Sequence, residues 1–124
     1  MIGIDMVEIA RITALKERFG DRALRRFMSD EEIGVFGAKI ESVAGLWAAK
    51  EAVSKALGAG IGAKLNFHDI TIIKSEEGAP IAVLSPRAAK RFGIDRLSTS
   101  ITHEKGYAIA VALALALAAS PPAN

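Results

Sequence analysis

From Tyr107 to Ala119 bulky and small residues take turns. Ile109, Val111, Leu113, Leu115 and Leu117 hold one set of positions, and Ala108, Ala110, Ala112, Ala114, Ala116 and Ala118 the other. A period of two belongs to a β-strand, whose successive side chains point to opposite faces. The pattern therefore predicts a strand with one bulky and one small face, firmest over Ala108 to Leu113, against alanine's own preference for helix. The stretch is too short to cross a bilayer as a helix.

Other punctuation orders the rest of the chain. A short strand over about Ile2 to Val7 leads into a helix through Ile9, Ile12 and Leu15, broken at Gly20 before a second basic helical stretch ending near Met28. Ser29 and Glu32 form a capping-box pattern, and Asp30, Glu31 and Glu32 place negative charge where the helix dipole favours it. A long helix over about Glu41 to Leu57 stops at the glycines that follow. Ile70 to Ile73 and Ile81 to Leu84 read as a hairpin turning at Glu76, Glu77 and Gly78. Ser85 and Pro86 then cap a short helix that Gly93 ends. Leu97 to Thr102 and Tyr107 to Leu113 would pair across Glu104, Lys105 and Gly106. The expected fold is α+β, with early helices on a mostly antiparallel sheet, as one domain over residues 1–119 and a disordered tail over 120–124.

At 124 residues the chain can bury a core, yet is small enough for a neighbouring subunit to help complete an active site. Sixteen basic and fourteen acidic residues leave a formal charge of +2, which gives no overall case for nucleic acid. The absence of cysteine excludes disulfides, thiolate metal sites and a cysteine nucleophile. Asp5 and Glu8 stand where a signal peptide would be basic, so a cytoplasmic location is expected, without membrane attachment.

Chemistry concentrates in two segments. In Trp47 to Gly58 (WAAKEAVSKALG), helix geometry brings Glu51, Ser54 and Lys55 to one side with Lys50 at the border, while Leu46, Ala49, Val53 and Leu57 have the spacing of a core stripe. One carboxylate beside two ammonium groups suits a metal ion bridging to phosphate. Glu51 and Lys55 also fit an ordinary surface ion pair, worth only tenths of a kcal/mol. In the other segment, GIDMVEIARI, Asp5 interrupts an apolar strand. A carboxylate so placed is paired, hydrogen-bonded or holding a cation, or it caps a helix with Glu8 three residues on. Oxygen donors without thiolates favour a hard cation, magnesium first.

Gly58, Gly60 and Gly62 follow a helix instead of a strand, so they fit a helix stop better than a nucleotide-fold loop, while leaving room for a close backbone approach to a ligand. His103, ending a strand, is better placed for function than His68. Lys16, Arg18, Arg22, Arg25 and Arg26 make a locally basic stretch without the aromatic interleaving of a nucleic-acid binder.

Three segments, GIDMVEIARI, WAAKEAVSKALGAGIG and STSITHEKGYAIAVA, resemble in order and spacing the holo-acyl-carrier-protein synthase family of small trimeric phosphopantetheinyl transferases. The resemblance spans nearly the whole chain. It implies transfer of phosphopantetheine from coenzyme A to a serine of apo acyl carrier protein, for fatty acid biosynthesis, with magnesium as cofactor and adenosine 3',5'-bisphosphate released. It implies Asp5 and Glu51 as metal ligands and Glu51 and Lys55 as catalytic residues, with the serine's proton passing to Glu51 or to a water on the cation. Lys50, Ser54, Lys55, Gly58, Gly60 and His103 would contact coenzyme A, and Arg11, Lys16, Arg18 and Arg22 the acidic carrier protein. In such a homotrimer the Asp5-type strand and the Glu51-type helix of different chains share clefts, and the alanine face of the last strand is suited to close packing at the central axis. Thr102 and Ala59 depart from the serine and threonine of many relatives. An inactive carrier-binding trimer of the same fold is the alternative.

Overall fold

The computed structural model describes residues 1–116, in the order β1 (Ile2–Glu8), α1 (Ile9–Phe19), α2 (Asp21–Leu24), α3 (Asp30–Phe36), α4 (Ile40–Ala56), a 3-10 turn (Phe67–Asp69), β2 (Ile70–Lys74), β3 (Pro80–Leu84), α5 (Pro86–Phe92), β4 (Ile94–Glu104) and β5 (Tyr107–Ala116). The expected tail and the last positions of the alternating segment lie outside the described residues. Among those described, no helix is long and apolar enough to cross a membrane.

The alternating segment is the middle strand of an antiparallel three-stranded sheet ordered β1-β5-β4, and β2 and β3 form a separate antiparallel hairpin. Two caps follow the sequence closely. Ser29 Oγ accepts from Glu32 N at 3.1 Å while Glu32 Oε1 accepts from Ser29 N at 2.8 Å. Ser85 Oγ accepts from Ala88 N at 3.2 Å, and Gly93 closes α5 with a φ of 63°, a left-handed conformation that glycine adopts without a Cβ clash. The 3-10 turn was not foreseen. Asn66 caps it through His68 N, while Asp69 takes Asn66 N, the Ser85 hydroxyl and the Arg87 guanidinium. Burial opposes the charge of Asp69, but these hydrogen bonds and the Arg87 charge outweigh it and hold its pKa below the usual aspartate range.

The long helix α4 departs from the expected two-sided pattern. Its apolar residues are buried almost all round, because it lies at the centre of the core with the sheet along one flank and α1 and α3 along others. Small residues make this depth of packing possible. Ala108, Ala110, Ala112 and Ala114 of β5 are buried on the face toward α4. A Cβ on Gly3 would stand 2.0 Å from Ala52 O, so β1 can lie this close to the helix only with glycine there.

The alanine face is therefore inside the protomer, which corrects its assignment to a central axis. A small face was needed against a helix, where a bulky one would have held it off. The bulky face points outward: Ile2, Ile4 and Met6 are 71%, 63% and 61% exposed and pair with Leu113, Val111 and Ile109.

Candidate active site

The side chains of α4 that reach the surface follow one line. Trp47, Glu51 and Lys55, each a helical turn apart, are only partly covered, whereas every residue between them except the helix ends is buried. Asp5 meets this line from the sheet. It pairs with Ala110 in the register of β1 and β5, so its side chain leaves the face that carries the buried alanines. Its position in mid-strand rules out the helix-cap reading, since α1 starts only at Ile9.

Lys55 Nζ donates to Asp5 Oδ1 at 2.9 Å. Asp5 is well covered, with 13% of its side chain exposed, and Lys55 reaches it from the solvent side, 53% exposed. Glu51 stands close enough to both to respond to them. Burial first, and then the negative charge of Asp5, raise its pKa above the usual glutamate range, while Lys55 and Arg11 pull the other way. Two carboxylates in this proximity, with one ammonium and one guanidinium nearby, concentrate negative charge that a divalent cation would relieve. No cluster of three or more acidic, histidine or cysteine side chains able to hold a metal occurs among the described residues, so Asp5 and Glu51 are the two carboxylates that the site offers. Asp5, Glu51 and Lys55 thus meet within one protomer, because β1 packs directly on α4 through Gly3.

Lys50 and Ser54 are not part of the open site. Lys50 is 0% exposed, its ammonium donating to Phe27 O at 2.7 Å, Glu32 Oε1 at 2.9 Å and Phe67 O at 3.2 Å. Burial holds its pKa below the usual lysine value, against the hydrogen bond and charge of Glu32. Ser54 is equally buried and donates back to Glu51 O at 2.7 Å, a helix-internal bond. Sequence spacing placed both near Glu51, but at helix positions that turn inward when the helix is surrounded. Neither offers surface to a cofactor.

Gly58 and Gly60, with φ of 72° and 66°, carry the chain away immediately beyond Lys55, and the amides of Ala59 and Gly60 both reach Ser54 O. A Cβ on either glycine would meet nothing, so backbone conformation and not crowding calls for glycine there. His103 is exposed at the end of β4, opposite Ala108, and shares the sheet face of Asp5 two strands away. His68 Nε2 bonds Arg25 O at 2.9 Å and ties the 3-10 turn to the end of α2.

At the other end of the exposed line, Trp47 forms part of a cleft of about 560 Å³ with Leu15, Phe19, Arg22, Arg26 and Phe67. Trp47, Phe27 and Phe67 stack as one aromatic group, Phe27 edge-on to Trp47 at 5.0 Å. The Arg11 guanidinium lies 5.7 Å from the Trp47 ring centre, between the cleft and Glu51. Arg18 and Arg22 are exposed beside it, and Lys16 is partly covered. None of the aromatic residues was singled out in the sequence, although Trp47 at four residues before Glu51 carried the signal.

Residues 1–112 match the model of the 4'-phosphopantetheinyl transferase superfamily. The holo-[acyl-carrier-protein] synthase of Wolinella succinogenes is 57% identical over 111 residues, 90% of this chain and 93% of that protein. That of Campylobacter curvus is 55% identical over 114 residues, 91% and 98% of the two chains. The crystal structure of Helicobacter pylori holo-[acyl-carrier-protein] synthase in complex with coenzyme A superposes with a TM-score of 0.90 at 49% identity, covering 93% of this chain and all 100% of that one. The family expected from the three motifs is borne out, and so is the α+β fold. The chain belongs to the holo-[acyl-carrier-protein] synthase family within the 4'-phosphopantetheinyl transferase superfamily.

Proposed function

We propose that this protein transfers the 4'-phosphopantetheine arm of coenzyme A to a serine of apo acyl carrier protein, and that Asp5, Glu51 and Lys55 carry the reaction. The observation that supports the assignment of residues is the 2.9 Å contact of Lys55 with Asp5, beside Glu51, which joins the first and second motifs in one site. The activity agrees with the coenzyme A complex of the H. pylori relative.

The serine oxygen attacks the phosphorus that bears the pantetheine arm. A new P–O bond forms, the bridging P–O bond of the diphosphate breaks, and adenosine 3',5'-bisphosphate departs. Negative charge accumulates on the phosphoryl oxygens and the leaving group, so fixed positive charge placed there lowers the barrier. Lys55, on the solvent side of the acid pair, is the ammonium in reach of that charge. Asp5 and Glu51 would hold magnesium, which when bound neutralises the diphosphate. Glu51 is the carboxylate that this chain offers as an acceptor for the serine's proton. Gly58 and Gly60 present backbone to the nucleotide, and His103 adds a side chain from the sheet.

The cleft around Trp47 suits the carrier protein. Arg22 and Arg26 line it, Arg11, Lys16 and Arg18 add positive charge from α1 for an acidic partner, and the aromatic floor takes apolar side chains. The line Trp47–Glu51–Lys55 then runs from the carrier to the diphosphate. The outward face of β1 and β5, with Ile2, Ile4 and Met6 beside Ile109, Val111 and Leu113, suits burial against further copies of the chain in a trimer. Incubation with coenzyme A, magnesium and an apo acyl carrier protein, read by intact mass, tests the function. The carrier should gain one phosphopantetheine group, and an unchanged carrier mass would reject the reading.

A further inference from the structure

Lys50 and Glu32 form a buried ion pair that the reaction itself does not use. Every proton of the Lys50 ammonium has an acceptor: Phe27 O, Glu32 Oε1 and Phe67 O. Glu32 is as fully engaged, taking Ser29 N on Oε1 and Ile72 N on Oε2, each at 2.8 Å. Two residues thus tie together the end of the basic helical stretch, α3, α4, the 3-10 turn and β2. Stability alone does not call for such a pair, since well-packed apolar residues commonly do as well in its place.

What surrounds α4 explains a need for it. Where the helix meets the sheet the side chains are small: Ala52 and Ala56 lie against Gly3 of β1, and the buried face of β5 is alanine. Small side chains allow close approach but interdigitate poorly, so they do little to fix the rotation of the helix or its position along the sheet. A rotation of about 20° would move side chains at the helix surface by about 2 Å and part Lys55 from Asp5.

We infer that the Lys50–Glu32 pair is a positioning device, which sets the rotation and depth of α4 so that Glu51 and Lys55 face Asp5 and so that Trp47 completes the cleft. Lys50 immediately precedes Glu51, and the carbonyls it holds belong to Phe27 and Phe67, which pack against Trp47. One ammonium therefore references the carboxylate site and the aromatic cleft to the same frame. This inference rests on the site proposed above.

The test compares the parent with Glu32→Gln and with Lys50→Met/Glu32→Gln, which leaves no unpaired buried charge. Both should keep the parent's far-ultraviolet circular dichroism and a cooperative melt. Mn²⁺ affinity of the substrate-free protein should fall about ten- to a hundred-fold in the double variant, as when residues supporting metal ligands are removed. Its kcat should fall by a similar factor and the KM for carrier protein should rise with it, because Trp47 shifts with the helix. Parental Mn²⁺ affinity and kcat in the folded double variant would overturn the inference. Failure of both variants to fold would also overturn it, making the pair a folding requirement. An inactive parent would instead reject the proposed function, and the Mn²⁺ comparison would still decide the positioning role.

Discussion

Lys55 Nζ and Asp5 Oδ1 stand 2.9 Å apart although fifty positions separate them in the chain. The contact spans the seam between β1 and α4, and it is half open to solvent on the lysine side. An ion pair this exposed contributes at most about 1 kcal/mol, so its geometry matters more for chemistry than for stability. Lys55→Met should leave the urea midpoint nearly unchanged and lower kcat by about a hundredfold or more, the loss seen when one preorganised charge is withdrawn from a transition state. Equilibrium unfolding and steady-state kinetics on the same preparation check both halves.

Glu51→Gln should abolish transfer and leave the fold intact. The pKa of Glu51 is raised in the folded protein, chiefly by burial and then by Asp5. The folded state therefore holds that proton more tightly than the unfolded chain does. Ionising Glu51 costs stability as pH climbs from the ordinary glutamate value of about 4.3 through the raised one, and the cost persists above it. The glutamine variant escapes this cost. In magnesium-free buffer at neutral pH it should melt no lower than the parent, with any advantage disappearing as pH falls through the ordinary carboxylate range. A thermal melt series against pH would show the opposite trend if Glu51 were held mainly by its cationic neighbours.

Arg22 lines the aromatic cleft and is exposed. Arg22→Glu should raise the KM for carrier protein by about five- to tenfold, mostly through slower association, and leave the KM for coenzyme A nearly unchanged. Added salt should narrow the difference. A larger effect on coenzyme A would move the carrier elsewhere.

Ile4 stands 63% exposed in the middle of the outward apolar face, opposite Val111. Ile4→Glu places a charge where copies would meet while leaving the alanine face and the core alone. Sedimentation equilibrium should find the parent as a trimer and the variant shifted toward monomer. A parent that sediments as a monomer would contradict the assembly.

Much of this was legible in the chain. The caps at Ser29 and Ser85, the hairpin and the alternating strand all rest on local chemistry, which a sequence displays directly. The pairing of an acid in the first strand with the Glu51 to Lys55 turn of the long helix came from the family resemblance instead, since fifty positions separate Asp5 from Lys55. Which way each face points was not legible, because periodicity marks two faces without saying what covers them. The alanine face went to the core because α4 needed a shallow bed, and the bulky face was left outside. The same gap misplaced Lys50 and Ser54. Their spacing from Glu51 suits a solvent-facing cluster, but a helix surrounded on nearly all sides keeps only the line through Trp47, Glu51 and Lys55 open. Glu32 announced its cap and concealed its second role, since its partner Lys50 is eighteen positions away and joined to it only by the tertiary fold.

The central claim is that Asp5 and Glu51 act as one divalent-cation site. Titration of Mn²⁺ into the substrate-free protein, followed by electron paramagnetic resonance, tests it with four proteins: the parent, Asp5→Asn, Glu51→Gln and the double variant. Each single change should weaken binding at least about tenfold, or 1.4 kcal/mol, and the double variant should be hardly weaker than the worse single one. Unaltered affinity in both single variants, or losses that simply add, would contradict a shared site.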